Sequence, residues 1–234
     1  MNLRKEEKNN ILLKTMIKTY HLNFPNDVER FNYIKKSFSD SPYEYEIVEG
    51  INGHEQDRSR FNLNKDKKKY RGLSLGELGC YLGHIKMWKK ALMDEVKIPM
   101  FFEDDAQIQP KFWKNVHLIL EEMKEIKDWD IILLSHTFTY LKYKDEISDI
   151  KEVTKNLYSI TGDHYGNQCY IVNPRVLNQL ILTENFITYP ADLALTNYNL
   201  KTYMINPNKS LTKQKRGFGS YTKDKQTYSK KFLT

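Results

Sequence analysis

A nearly uninterrupted apolar strand, Asp130-Ile131-Ile132-Leu133-Leu134, constrains this chain more than any other feature. A strand with one wet face alternates polar and apolar residues. A strand that does not alternate belongs to a sheet covered on both faces. Segments of both periodicities surround this run. Met16–Leu22 and Tyr43–Val48 read as strands, and between them Asn26 or Asp27 caps a helix carrying Val28, Phe31, Ile34 and Phe38 at helical spacing. Ser74-Leu75-Gly76-Glu77 is a capping box, and Leu78, Leu82, Ile85 and Leu92 continue its helix. Met100–Phe102 is a strand and residues 112–126 a helix. Gln168–Val172 is a strand, and Pro174 sits at the preferred first position of a helix carrying Val176, Leu177, Leu180 and Ile181. A short helix over 192–199 and a strand over 202–205 close the series. Strands alternating with helices predict an α/β fold, a mostly parallel sheet flanked by helices in a single domain.

The connections are polar. Glu49-Gly50-Ile51-Asn52-Gly53 is a turn, residues 54–72 form a long polar loop suited to a lid, and residues 136–156 read as a loop with an irregular strand. The predicted organisation is a polar extension over 1–14, a folded domain over 15–207 and a basic tail over 208–234. From Lys201 onward nine basic residues face Asp224 alone, so the net charge of +7 is concentrated at this end. Such a segment attracts anions: a nucleotide diphosphate, a nucleic acid or an acidic surface. No helix-turn-helix, RRM or zinc signature accompanies it, so a nucleic-acid partner is not expected. There is no GxGxxG and no P-loop motif, which leaves dinucleotide and P-loop chemistry unsupported. The two cysteines, Cys80 and Cys169, make no disulfide framework, and both read as small buried side chains. No apolar run is long enough to span a bilayer, and Met1–Lys8 lacks the apolar core of a signal peptide. The expected setting is cytoplasmic or peripheral, or one domain of a larger protein.

Pro99-Met100-Phe101-Phe102 leads straight into Glu103-Asp104-Asp105. In an open α/β sheet, ligands sit beyond the carboxyl ends of strands, and this acidic turn occupies such an end. Three adjacent like charges repel, and a hard divalent cation with oxygen ligands, Mg2+ or Mn2+, relieves that repulsion. A solvated acidic turn near a helix start is the other reading of the same residues.

Separated segments then fit one pattern. Leu73-Ser74-Leu75-Gly76-Glu77-Leu78-Gly79-Cys80-Tyr81-Leu82-Gly83-His84 with Trp88 resembles the L-x-x-G-E-x-G-C-x-x-S-H-x-x-x-W block of glycosyltransferase family 25, and Phe102–Asp105 resembles its hydrophobic-E-D-D motif. Arg30, Asn52-Gly53, Gly166–Val172, Tyr189-Pro190-Ala191-Asp192, Gln214 and Ser220 match further blocks, so the resemblance runs over roughly 15 to 220. Gly83 stands where the family usually carries Ser, and Gln168 where His or a small residue is common.

The resemblance implies a GT-A-type, Rossmann-like sheet and a metal-dependent, inverting transfer of a hexose, galactose or glucose, from a UDP-sugar. The acceptor is a glycan, glycoprotein or glycolipid, or a hydroxylysine-type hydroxyl. On this reading Glu103 and Asp105 hold Mn2+ or Mg2+, and Asp104 points toward ribose or the donor sugar. His84, Lys213, Lys215 and Arg216 contact the nucleotide. Inversion requires a base to take the acceptor proton. Asp192 is the first candidate, with a helix N-cap as its structural alternative, and Asp163 is the second. Glu77 reads as a helix cap and Trp88 as core. The competing classes are a basic nucleic-acid-binding protein and a metal-dependent phosphodiesterase.

Overall fold

The computed structural model describes residues 15–24, 26–61, 73–135, 149–161, 166–187, 190–206, 209–215 and 217–218. Their centre is an eight-stranded mixed sheet of order β2-β1-β3-β8-β5-β9-β7-β6. The strands are β1 (Ile17–Asn23), β2 (Glu44–Glu49), β3 (Ile98–Phe102), β5 (Ile131–Leu133), β6 (Asp149–Glu152), β7 (Leu157–Thr161), β8 (Cys169–Val172) and β9 (Thr202–Ile205). β1 pairs in parallel with β2 and β3, and β5 with β9. β8 runs antiparallel between β3 and β5, and β7 antiparallel between β9 and β6. All strands except β8 and β7 therefore point one way, as the alternating pattern predicts.

The unbroken apolar run explains this placement. Successive side chains of a strand point to opposite faces. Ile131 and Leu133 enter one core cluster with Tyr20, Phe101, Tyr170 and Met204, while Ile132 and Leu134 enter the other with Met100, Phe102 and Ile171. The first face is covered by α2 (Leu75–Met93), α4 (Leu177–Leu182) and α5 (Ala191–Asn197). The second is covered by α1 (Val28–Ser37) and α3 (Phe112–Met123).

Local signals set the helix starts. Asp27 caps α1 by accepting from the Arg30 N–H at 3.0 Å. Ser74 and Glu77 form the predicted reciprocal box at α2, with bonds of 3.1 and 2.8 Å. At 190–192 the cap position is Pro190, without a side-chain cap, so Asp192 lies in the first turn of α5 and is not its N-cap. Beyond Pro174 the chain makes a 3-10 turn before α4 begins.

Three features depart from the expectation. β6 falls in the 136–156 stretch read as a loop with an irregular strand and pairs antiparallel with β7, a strand that the sequence pattern does not announce; residues 136–148 lie outside the described part. A small second sheet joins β4 (Ala106–Ile108) to β10 (Thr212–Gln214), so the start of the basic tail is paired onto the segment that follows the acidic triplet. Cys169 is buried as expected, but Cys80 is only half-buried, because its position on α2 borders a cleft. Of the expected lid, residues 53–55 and 58–60 form 3-10 turns, and 62–72 lie outside the described residues, as do the 1–14 extension and 219–234.

The Asn52-Gly53 turn is pressed onto the start of α2. A Cβ on Gly79 would stand 2.5 Å from the Ile51 carbonyl oxygen and 2.7 Å from the Gly53 nitrogen, and both are backbone atoms that cannot swing aside. Gly79→Ala is therefore expected to destabilise the protein by about 1–3 kcal/mol through overpacking. A urea midpoint unchanged from wild type would show that the turn is not wedged there.

Candidate active site

The parallel registers bring the carboxyl ends of β1, β2 and β3 to one edge of the sheet, with residues 166–168 entering β8 beside them. A cleft of ≈ 260 Å3 opens there. Its floor is Glu103, Asp104 and Asp105, and its walls include Glu77 and Cys80 from α2, Asp192 from α5, and Arg30 and Gln214.

Each member of the acidic triplet has a different environment. Asp104 pairs with the buried guanidinium of Arg30. Arg30 is itself held by Asp27 at 3.4 Å and by the ring of Phe218, 5.1 Å away. Asp105 accepts from Gln214 Nε2 at 2.8 Å through Oδ2, and its carbonyl accepts from the Lys215 N–H at 2.7 Å. Among the described residues its Oδ1 is buried without a hydrogen-bond partner. The Glu103 backbone N–H is fixed by the Gln168 carbonyl at 3.1 Å, which leaves its carboxylate to the cleft. Burial, and then the charge of Asp105, pushes the Glu103 carboxyl up to about 8 against the pull of Arg30. Burial likewise raises Asp104, and Arg30 opposes that rise. A buried, unpartnered carboxylate oxygen beside a second carboxylate that resists ionisation is a donor set that fits a hard divalent cation.

Asp192 faces this group from α5. Burial, followed by the charge of Glu103, raises its carboxyl to about 6, while backbone donors at Leu193 and Gly166 favour the ionised form. Gly166 has φ 103°, a conformation that suits glycine and lets its N–H reach Asp192.

His84 does not line the cleft. Its ring is fully buried behind Glu103, with Nδ1 2.7 Å from Tyr170 Oη and Nε2 3.5 Å from Glu103 Oε1. Trp88 Nε1 donates to the same Tyr170 oxygen at 3.0 Å, so the predicted core role of Trp88 also fixes a polar group. Lys213 is exposed on β10, and Lys215 places its Nζ 5.5 Å from the ring centre of Tyr33. Asp163 and Arg216 lie outside the described residues. Glu77 caps α2 and lines the cleft as well. The Gly83 departure has a packing reason. The space that a Cβ would take is filled by the Leu22 side chain, at 2.8 and 2.9 Å. Sequence reasoning gave no role to Arg30 or Gln214, the two groups that hold Asp104 and Asp105. Their only signal was a match to isolated family positions.

Residues 16–195 match the model of glycosyltransferase family 25, described as an LPS biosynthesis protein family. Procollagen galactosyltransferase 1-A of Xenopus laevis is 22% identical over 176 residues, covering 71% of this chain and 28% of that protein. Lipooligosaccharide biosynthesis protein lic2B of Haemophilus influenzae is 23% identical over 199 residues, covering 80% of this chain and 73% of the relative. This chain thus spans little more than a quarter of the length of the procollagen enzyme. A solved apo UDP-glucose pyrophosphorylase aligns with TM-score 0.43 and 10% identity over 85% of this chain and 76% of that one, too distant to bear on function. Among the described residues no helix is long and apolar enough to cross a membrane.

The raised carboxyls make stability depend on pH. A carboxyl that holds its proton more tightly when folded stabilises the fold below its unfolded value and loses that contribution as pH rises through the folded one. For Glu103 the window runs from 4.5 to about 8, and for Asp192 from 3.8 to about 6. His84 and His21, which burial holds down to about 4 and about 3, act oppositely up to the ordinary histidine value of 6.5. The decline should therefore emerge between pH 6.5 and 8 in cation-free protein. Urea midpoints across that window are expected to fall for wild type and to fall less for Glu103→Gln, in which Asp104, raised by burial to about 7, still titrates. A flat wild-type profile would contradict the crowding of carboxylates.

Proposed function

The chain belongs to glycosyltransferase family 25, and from that premise we propose that its cleft transfers a hexose from a UDP-sugar to an acceptor hydroxyl with the help of a divalent cation. The observation that carries this reading is the buried Oδ1 of Asp105, without a partner among the described residues, in the same cleft as the carboxylates of Glu103 and Asp192. Glu103 and Asp105 would hold Mn2+ or Mg2+, which when bound supplies charge stabilisation to a departing diphosphate.

The chain's own residues do the rest. Gln214 keeps Asp105 turned to the cleft, and its place on β10 ties the basic segment to the acidic floor. Arg30 offsets part of the negative charge on that floor, and its pairing with Asp104 removes one carboxylate from competition for the cation. Direct displacement with inversion needs a base for the acceptor proton. Asp192, with a carboxyl raised toward neutrality, is matched to that task near pH 7. Backbone donors at Gly166 and Leu193 hold the carboxylate that results in place. Galactose and glucose are the donors to test first. The acceptor, a glycan or a hydroxylysine-type hydroxyl, belongs to this proposal.

Two variants separate binding from chemistry. UDP with Mn2+ is expected to raise the melting temperature of wild type and of Asp192→Asn, but not of Asp105→Asn. UDP release from UDP-galactose or UDP-glucose, measured with acceptor present, is expected to fall about 10²–10⁴-fold in Asp192→Asn with little change in KM. Equal UDP–Mn2+ stabilisation in wild type and Asp105→Asn would remove the cation from the reading. Full turnover by Asp192→Asn would remove the base.

A further inference from the structure

Cys80 and His84 stand one turn apart on α2, on the flank that meets the end of β3. Residues at i and i+4 share a helix face. The Cys80 sulfur, a ring nitrogen of His84 and a carboxylate oxygen of Glu103 all lie within 4.8 Å of one another. His84 is already oriented. The Tyr170 hydroxyl takes up Nδ1, and Nε2 is fully buried, has no hydrogen-bond partner among the described residues and lies 3.5 Å from the Glu103 carboxylate. Locking one ring nitrogen through a hydrogen bond while the other stays available is how proteins prepare a histidine ligand. Cys80 is half-buried and lines the cleft, so an ion has a route in.

We propose that Cys80, His84 and Glu103 form a second cation site just behind the floor of this cleft, for a borderline-soft ion of the zinc type. A sulfur, nitrogen and oxygen donor set favours Zn2+ over Mg2+ and Mn2+, which prefer oxygen alone. Tetrahedral zinc with bonds of about 2.0–2.3 Å spaces its donors roughly 3.3–3.6 Å apart, so closure asks only for side-chain adjustment from the present spacing. The protons balance. Cys80 gives its proton to solvent, and His84 ligates through Nε2 in the tautomer that carries its proton on Nδ1. There Tyr170 Oη accepts it with the lone pair not used by Trp88. The fourth position is open to water.

Glu103 serves both this site and the all-oxygen site with Asp105. Zinc on the first is therefore expected to inhibit the transferase by withdrawing a ligand from the second. That competition rests on the proposed function, whereas the zinc site itself does not.

The test uses the full chain, freed of metal and without nucleotide or sugar. Zinc titrated against a chromophoric chelator is expected to bind with one tight equivalent, and Co2+ in its place to give a near-ultraviolet sulfur-to-cobalt absorption. Cys80→Ser is expected to abolish that absorption, and both Cys80→Ser and His84→Gln to weaken zinc binding by about tenfold or more. Substitution of the remote His54 should change neither. In wild type, zinc but not Mn2+ should slow alkylation of Cys80 as read by mass spectrometry, a measurement that does not depend on a variant folding. No cobalt–sulfur band, unchanged zinc affinity in Cys80→Ser, or equal alkylation with and without zinc would overturn the site. Zinc protection together with a failed UDP–Mn2+ stabilisation would remove the transferase reading alone.

Discussion

Crowding of negative charge at the end of β3 governs this molecule. Glu103, Asp104 and Asp105 follow one another at a sheet edge where burial makes ionisation costly. Three neighbouring groups make the arrangement tolerable. Arg30 pairs with Asp104, Gln214 donates to Asp105, and the Gln168 carbonyl fixes the Glu103 backbone. What remains is a turn with charge to spare and an oxygen, Asp105 Oδ1, without a hydrogen-bond partner among the described residues. The proposed function assigns a cation to this turn.

The fold holds this turn in place through contacts that tolerate little change. β3 is central, paired with β1 on one side and β8 on the other, and Phe101 and Phe102 anchor it in opposite cores. The backbone contact between the Asn52-Gly53 turn and Gly79 sets the start of α2 against the cleft. That contact also places Cys80 and His84 beside Glu103. The small β4–β10 sheet returns the chain to the triplet from more than a hundred residues away. Sequence-distant segments thus converge on one carboxylate cluster.

Much of this was legible in the residues, for physical reasons that can be named. Ile131 to Leu134 show a doubly covered strand because hydrophobic burial on both faces leaves no polar alternation. Ser74 and Glu77 show a helix start because their reciprocal hydrogen bonds need that spacing. The acidic triplet shows itself because like charges are rarely set together without a reason. The partners of the triplet were harder to read. Arg30 and Gln214 act through tertiary pairing, which no local pattern records. β4 and β10 are three residues each, too short to show a periodicity of their own, so their pairing with one another makes them strands. Asp192 resembled a cap because it opens a short helix, but Pro190 occupies the cap position and frees its carboxylate for the cleft. The place of Cys80 at the cleft was hidden because a small thiol on an apolar stripe looks like core until the cleft beside it is seen. Asp163 and Arg216 lie outside the described residues, and so do not enter the account of the site.

The central claim is that Glu103 and Asp105 share a hard cation that carries a diphosphate. Crystals of the protein soaked with Mn2+ and UDP, with diffraction recorded at the manganese edge, address it directly. The account predicts an anomalous peak in contact with both carboxylates and with the phosphates. A crystal containing bound UDP with no manganese signal between Glu103 and Asp105 would contradict it.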